Sequence, residues 1–127
     1  MSETVIDASA LLALLNAEPG ADTVADALSG GVISAVNLSE VIGKLHDSGI
    51  PEHTIGRILQ PLELEIVPFE EEQAYRTGLL HAATRERGLS PGDRACLGLA
   101  KTLGIPALTA DRAWTDLSIG VAVKVIR

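Results

Sequence analysis

Four short acidic segments carry the residues of this 127-residue chain that could do chemistry. Each segment places one acid near a hydroxyl or amide side chain: Asp7-Ala8-Ser9, Asn37-Leu38-Ser39-Glu40, Ser90-Pro91-Gly92-Asp93 and Thr109-Ala110-Asp111. Four ionised carboxylates repel one another unless a counter-charge lies between them. Divalent cations such as Mg²⁺ prefer oxygen ligands. If folding brings these acids together, the predicted chemistry is therefore metal-dependent cleavage of a phosphodiester.

The elements predicted around the four acids would place them along one edge of a sheet. The patterns predict strands at residues 4–6, 32–34, 64–67, 107–109 and 121–126, and helices at 9–16, 21–28, 37–46, 51–59, 70–87 and 90–103, with a helical turn at 112–117. Asp7 and Asp111 follow predicted strands, while Glu40 and Asp93 lie in the first turns of predicted helices. In parallel α/β folds the functional crevice lies beyond the carboxyl ends of the strands.

The alternation of strands and helices predicts an α/β fold with a mainly parallel sheet covered on both faces. The length suits one domain spanning residues 1–127. Hydrophobic residues make up 46% of the chain and aromatic residues only 2%, so we expect an aliphatic core.

Charge and cysteine content restrict the class of protein. The net charge of −7 disfavours charge-driven binding to nucleic acid, although a bound metal would offset part of an acidic active site. An acidic surface also suits a basic protein partner. The single cysteine, Cys96, excludes an internal disulfide, and the apolar run at residues 8–15 is shorter than the roughly 20 residues that span a bilayer. We expect a cytoplasmic protein without a membrane partner.

Helix capping is the alternative explanation for each acid. Asp7 and Asp111 have the position of helix N-caps. Asn37 and Glu40 have the spacing of a capping box, as do Ser90 and Asp93. Capping and metal binding are compatible, because a capped helix fixes the position of its carboxylate.

Taken in order, the motifs resemble the PIN-domain family, and in particular the VapC toxins of toxin–antitoxin pairs. The resemblance covers nearly the whole chain and rests on Val5-Ile6-Asp7-Ala8-Ser9, Asn37-Leu38-Ser39-Glu40-Val41, the run from Gly92 to Ala100, and Leu108-Thr109-Ala110-Asp111-Arg112-Ala113-Trp114. It implies a PIN-like three-layer α/β/α sandwich. Carried over by position, the metal-binding acids are Asp7, Glu40, Asp93 and Asp111.

The same resemblance implies an activity and partners. Thr109 matches a hydroxyl of the catalytic site, and Ser9 a supporting hydroxyl. The implied protein is a Mg²⁺-dependent (or Mn²⁺-dependent) endoribonuclease, the toxin of a type II toxin–antitoxin system that inhibits translation and growth. Transfer RNA is a frequent target of similar toxins. The implied partners are an RNA substrate, a VapB-like antitoxin and a second copy in a homodimer.

Four further residues each have two possible interpretations. Arg94 and Arg112 follow proposed metal ligands and either contact substrate phosphates or pair with acids. Asp116 falls where some family members carry a further acid, and is equally well explained as a surface acid. Trp114 either stacks on a base or packs in the core.

Other functions predict residues that this chain lacks. A receiver-like phosphoacceptor domain needs an acidic pair after the first strand, where Asp7 stands alone. A haloacid-dehalogenase-like phosphatase needs an aspartate at the position of Ser9. The remaining alternative is a catalytically inactive PIN-like module that binds RNA or protein. A DNA substrate also stays open, since metal-held phosphate chemistry does not require a 2′-hydroxyl.

Overall fold

A five-stranded sheet organises the chain, as a computed structural model describing residues 2–127 shows. Its strands are β1 (Thr4–Ile6), β2 (Gly31–Ser34), β3 (Glu65–Val67), β4 (Ala107–Thr109) and β5 (Val123–Val125). They lie in the order β3-β2-β1-β4-β5, and every strand pairing is parallel. The prediction of a parallel sheet is confirmed, and β1, which carries the first acid at its end, lies at the centre.

Seven helices connect and cover the strands: α1 (Ala8–Leu15), α2 (Ala21–Ala27), α3 (Ala35–Asp47), α4 (Glu52–Leu59), α5 (Glu71–Leu79), α6 (His81–Thr84) and α7 (Pro91–Leu103). Short 3₁₀ turns occur at Gln60–Leu62, Arg85–Arg87 and Arg112–Trp114. None of the helices in residues 2–127 combines the length and apolarity that crossing a bilayer requires.

Two hydrophobic cores lie on opposite faces of the sheet. Successive side chains of a strand point to opposite faces, so the two apolar residues of β1 serve different cores. Ile6 packs with residues of α1, α2, α3 and α4, whereas Val5 packs with residues of α7 and with Trp114. Helices therefore cover both faces, and the predicted three-layer α/β/α sandwich is confirmed.

The prediction of one helix over residues 70–87 is wrong. The segment is divided into α5, α6 and a 3₁₀ turn that ends at Gly88, whose φ is 70°. At the division the buried Thr84 hydroxyl donates to the Leu80 carbonyl oxygen at 2.7 Å. Such a bond to the preceding turn competes with the backbone ladder and bends helices.

The predicted capping box of Asn37 and Glu40 is also wrong. Helix α3 begins at Ala35, because Ser34 already caps it by accepting a hydrogen bond from the Val36 backbone N–H at 3.2 Å. Asn37 is thus the third residue of α3, and Glu40 lies in its second turn rather than its first.

Candidate functional site

Asp7 lies directly after β1 and is the N-cap of α1, as predicted. Its side chain is only 3% exposed. Oδ2 accepts hydrogen bonds from the Ser9 hydroxyl at 2.5 Å, from the Ser9 backbone N–H at 3.4 Å and from the Thr109 hydroxyl at 3.1 Å. The carboxylate is therefore held in one orientation at the carboxyl end of the central strand.

The electrostatic environment of Asp7 disfavours its ionised form. Burial raises the pKa of this carboxyl from 3.8 to about 6, against the lowering effect of the hydrogen bond from Ser9. The negative charge of Asp93 raises the pKa further. Asp7 and Asp93 thus act on each other across the sheet edge, and a cation between them would relieve the repulsion.

A chain of hydroxyl groups joins the end of β4 to the start of α1. The Ser9 and Thr109 oxygens lie 3.1 Å apart. Ser9 Oγ accepts from the Ala110 backbone N–H at 3.0 Å, and Thr109 Oγ1 accepts from the Asp111 backbone N–H at 3.1 Å. Asp111 itself caps the following 3₁₀ turn, as predicted, by accepting from the Ala113 N–H at 2.9 Å. The segments of the first and last acids are therefore connected.

Asn37 connects Glu40 on α3 to the start of α7. This residue is fully buried, and its Nδ2 donates to Glu40 Oε1 at 2.8 Å and to the Gly92 carbonyl oxygen at 2.9 Å. A Cβ at Gly92 would lie 2.5 Å from Glu40 Oε2, so the carboxylate rests against the α7 backbone and a side chain at position 92 would displace it. Sequence reasoning missed this bridging role, although the i,i+3 spacing on one helix face pointed to the Asn37–Glu40 contact.

Asp93 is held at the first turn of α7 by the predicted capping box. Its backbone N–H donates to Ser90 Oγ at 3.1 Å, and its Oδ2 accepts from the Ser90 backbone N–H at 2.9 Å. Pro91 occupies the first helical position, where its missing N–H leaves no orphan donor.

The thiol of Cys96 lies within the electrostatic influence of three of the acids. The thiol is fully buried, and burial raises its pKa well above the usual value. The negative charges of Asp7, Asp93 and Glu40 raise it further. The charges of three carboxylates from three different segments therefore reach one buried thiol of α7.

The four predicted acids share one pattern of hydrogen bonding. In each carboxylate one oxygen accepts a hydrogen bond, and the other receives none from residues 2–127. The oxygens without a partner are Asp7 Oδ1, Glu40 Oε2, Asp93 Oδ1 and Asp111 Oδ2. These local hydrogen bonds thus leave one oxygen of every acid for another ligand, and such a set suits a hard divalent cation.

The side chains are not arranged as a closed metal cage. Across residues 2–127, no three His, Cys, Asp or Glu side chains lie close enough together to hold one ion. Each carboxylate is held by its own local hydrogen bonds, and like charges repel one another. The carboxylate oxygens are donors that fit a divalent cation. For the acids to share one ion, their side chains would have to turn towards one another.

The other predicted residues lie in separate local contacts. Arg94 donates to the Leu89 carbonyl oxygen and Arg112 to that of Arg127, both at 2.8 Å. Asp116 forms a surface ion pair with Arg87 at 2.6 Å, which lowers the pKa of Asp116. Trp114 is fully buried and packs in the core, so it offers no face to a base.

Comparisons with known proteins agree with this architecture. The family model described as the PIN domain matches residues 4–119. The fold is similar to that of DNA-bound VapBC from Salmonella typhimurium, with 20% identity, 100% of each chain covered and a TM-score of 0.78. VapBC2 from Rickettsia felis bound to a promoter DNA fragment is 15% identical, with coverages of 95% and 96% and a TM-score of 0.76. A toxin–antitoxin complex from Klebsiella pneumoniae is 18% identical, with coverages of 98% and a TM-score of 0.72.

A search of curated proteins finds no match. The solved structures share too little sequence identity to transfer an activity, and they establish the fold. The family model, by contrast, spans most of the chain, and its range includes all four acids. This protein belongs to the PIN-domain family.

Proposed function

We propose that this protein is a metal-dependent endoribonuclease and the toxin component of a type II toxin–antitoxin pair. The observation that carries the proposal is the buried Asp7 carboxylate at the end of the central strand of a PIN-domain fold, held by the Ser9 and Thr109 hydroxyls and within reach of the negative charge of Asp93. A buried carboxylate near a second negative charge destabilises a fold, and such arrangements occur mainly at functional sites. A divalent cation would make the arrangement favourable.

In the proposed site, Asp7, Glu40, Asp93 and Asp111 would hold Mg²⁺ or Mn²⁺ through the oxygens that their local hydrogen bonds leave without a partner. A divalent ion bound there supplies positive charge that polarises a phosphodiester and lowers the pKa of water. The raised pKa of Asp7 fits this role, because its ionised form gains stability when a cation is bound.

Neighbouring side chains orient the proposed ligands. Thr109 and Ser9 fix the Asp7 carboxylate through its Oδ2. Asn37 fixes Glu40 through its Oε1. Ligand orientation by such neighbours affects metal affinity, typically by 10- to 100-fold.

Arg94 and Arg112 are the proposed contacts to substrate phosphates. Each guanidinium uses one N–H for a backbone carbonyl oxygen. A guanidinium has five N–H donors, so further donors remain for phosphate oxygens. We leave Asp116 out of the metal site, because Arg87 occupies its carboxylate.

The proposed physiological setting follows the complexes that share this fold. A VapB-like antitoxin would insert a basic side chain among the acids and take the place of the metal charge, which suits the net charge of −7. We propose a cytoplasmic toxin that arrests translation and growth by cutting RNA, with transfer RNA as the first substrate class to test. A homodimer is part of the same proposal.

The test is cleavage of total cellular RNA by the purified protein in Mg²⁺, in Mn²⁺ and in chelator, alongside Asp93→Asn. The matched control is Asp47→Asn, because Asp47 is an exposed acid at the far end of α3. We expect cleavage that requires metal and Asp93, tolerates loss of Asp47, and leaves 5′-phosphate and 3′-hydroxyl ends. Folded protein that cuts neither RNA nor DNA but still binds RNA or a protein would instead support the inactive PIN-like module.

A further inference from the structure

The segment Ile126-Arg127 lies beside the last of the four acids. Strand β5 pairs with β4 in a register that places Val125 opposite Thr109. The Ile126 backbone N–H continues this pairing by donating to the Thr109 carbonyl oxygen at 2.9 Å. Two residues beyond the paired positions come Asp111 after β4 and Arg127 after β5. Because the two strands are parallel, Arg127 and Asp111 leave the sheet at the same edge.

The backbone at Arg127 is held by contacts that do not involve its side chain. Ile126 is buried and packs in the core on one face of the sheet. A Cβ at Gly20, whose φ is 95°, would lie 2.7 Å from the Ile126 carbonyl oxygen, so the start of α2 rests against this segment. On the other side, Arg112 Nε donates to the Arg127 carbonyl oxygen at 2.8 Å. A change of the Arg127 side chain should therefore leave the backbone in place.

The guanidinium of Arg127 is only partly occupied. Its Nη1 donates to Glu18 Oε1 at 3.1 Å and to the Pro19 carbonyl oxygen at 3.3 Å. Its Nε and Nη2 donate to no group in residues 2–127, so three of the five N–H donors of a guanidinium remain. The Arg127 and Glu18 side chains are 38% and 43% exposed. An ion pair as exposed as this contributes little stability, so an anion would displace Glu18 at little cost.

Arg112 and Arg127 together supply more positive charge than the neighbouring acids neutralise. The two residues are joined by the contact between Arg112 Nε and the Arg127 carbonyl oxygen. Glu18 pairs with Arg127, while Arg112 forms no ion pair within the described chain. Guanidinium groups match the geometry of phosphate, because two parallel N–H donors meet two of its oxygens. Since Asp111 directly precedes Arg112, the two arginines adjoin the proposed metal site.

We propose that Arg127 binds a backbone phosphate of single-stranded RNA next to the phosphate that Arg112 contacts, and that this phosphate displaces Glu18. The ligand, RNA, rests on the proposed function. Glu18 then competes with RNA for Arg127 and occupies the guanidinium in the free protein. The two members of one ion pair should therefore have opposite effects on RNA binding, which a purely structural ion pair would not produce.

The test is the Kd for a short, labelled single-stranded RNA, measured by fluorescence anisotropy in Mg²⁺ at low salt. Every protein compared also carries Asp93→Asn, so that the RNA stays intact. Arg127→Gln should weaken binding by about fivefold, whereas Glu18→Gln should tighten it by about twofold, as expected for exposed charge pairs. Arg127→Gln should also lower the slope of log affinity against log salt by about 0.7, the value for one phosphate contact on a single strand. Arg127→Lys keeps the charge and should recover part of the affinity.

The ion pair between Glu72 and Arg76 provides controls that are matched in charge. It is also exposed, with 3.3 Å between Arg76 Nε and Glu72 Oε1, and it lies on α5, which carries none of the four acids. Arg76→Gln and Glu72→Gln change the net charge by the same amounts as Arg127→Gln and Glu18→Gln. Both control substitutions should leave the RNA affinity nearly unchanged.

The outcomes separate this site from the nuclease activity. Equal RNA affinities of Arg127→Gln and Arg76→Gln, or weaker binding by Glu18→Gln, would overturn the role of Arg127 and leave the nuclease untouched. Failure of all the proteins to bind RNA would reject both the RNA substrate and this site. Binding that depends on Arg127, in a chain whose wild-type form cleaves no RNA, would reject the nuclease and support this site.

Discussion

Thr109 Oγ1 donates a hydrogen bond to Asp7 Oδ2 at 3.1 Å, across 102 residues of sequence. The same hydroxyl oxygen accepts from the Asp111 backbone N–H. One threonine at the end of β4 therefore holds the first proposed metal ligand by its side chain and the last by its backbone. The two acids cannot be repositioned independently while this hydroxyl is in place.

Replacing Thr109 by valine should remove this link while keeping the shape of the side chain. Loss of a buried hydrogen bond to a charged acceptor is expected to destabilise the fold by about 1.5–3 kcal/mol. The cleavage rate should fall, but less than in Asp93→Asn, because no metal ligand is removed. Denaturant unfolding and rate measurements would show both effects. Thr102→Val, on the exposed side of α7, is the control and should leave the rate unchanged, and a full wild-type rate in Thr109→Val would remove Thr109 from the site.

Asp7 should make the stability of the metal-free protein depend on pH. Its pKa is about 6 in the folded chain against 3.8 for an unperturbed group, so the folded state binds the proton more tightly. Below about pH 3.8, the tighter proton binding of folded Asp7 contributes its full stabilisation, about 3 kcal/mol. This contribution to the free energy of unfolding is lost as the pH rises through about 6. Asp7→Asn should lack this loss. The measurement is the free energy of unfolding of both proteins in chelator from pH 4 to 7, and parallel pH curves would contradict the assignment.

Gly92→Ala should separate stability from activity. Alanine favours the α7 helix by up to about 1 kcal/mol over glycine. The new methyl group would displace the Glu40 carboxylate, the flexible end of an exposed side chain. We therefore expect an unchanged or higher melting temperature together with weaker Mn²⁺ binding and slower cleavage. Gly56→Ala tests helix propensity alone and should retain both functions, and normal metal binding by Gly92→Ala would show that Glu40 is not a ligand.

Ser90 and Asp93 form one capping box but should differ in function. Ser90→Ala removes the N-cap and should destabilise the protein by about 1 kcal/mol while most of the activity remains. Asp93→Asn keeps an oxygen that accepts from the Ser90 N–H and removes the charge, so the fold should be stable and cleavage absent. Thermal melts and rates of both variants give the comparison. If both lose stability alike and neither loses activity, Asp93 is only a cap.

The strands and the order of the acids could be predicted from the sequence because their signals are local. Short apolar runs bordered by acids or glycines mark β1, β2 and β4, and the Ser90–Asp93 capping box is visible from its spacing. The break between α5 and α6 was missed, since it rests on one buried threonine hydroxyl rather than on glycine or proline.

The bridge made by Asn37 could not be read from the chain alone. Its contact with the Gly92 carbonyl oxygen spans 55 residues and exists only once α3 packs beside α7. The Glu40 carboxylate, which Asn37 also holds, explains the glycine at position 92, because a Cβ there would meet that carboxylate. Local patterns thus predicted which strand ends and helix starts carry the acids, while the groups that orient the acids depend on tertiary packing.

The most direct test of the proposed metal site is calorimetric titration of Mn²⁺ into chelator-treated protein. The titration would compare the wild-type chain with four single variants: Asp7→Asn, Glu40→Gln, Asp93→Asn and Asp111→Asn. We expect saturable binding by the wild-type protein and a loss of affinity of about tenfold or more in each variant, because every acid contributes a ligand oxygen. Equal affinity in all five proteins, or no binding by a wild-type protein that cleaves RNA, would contradict it.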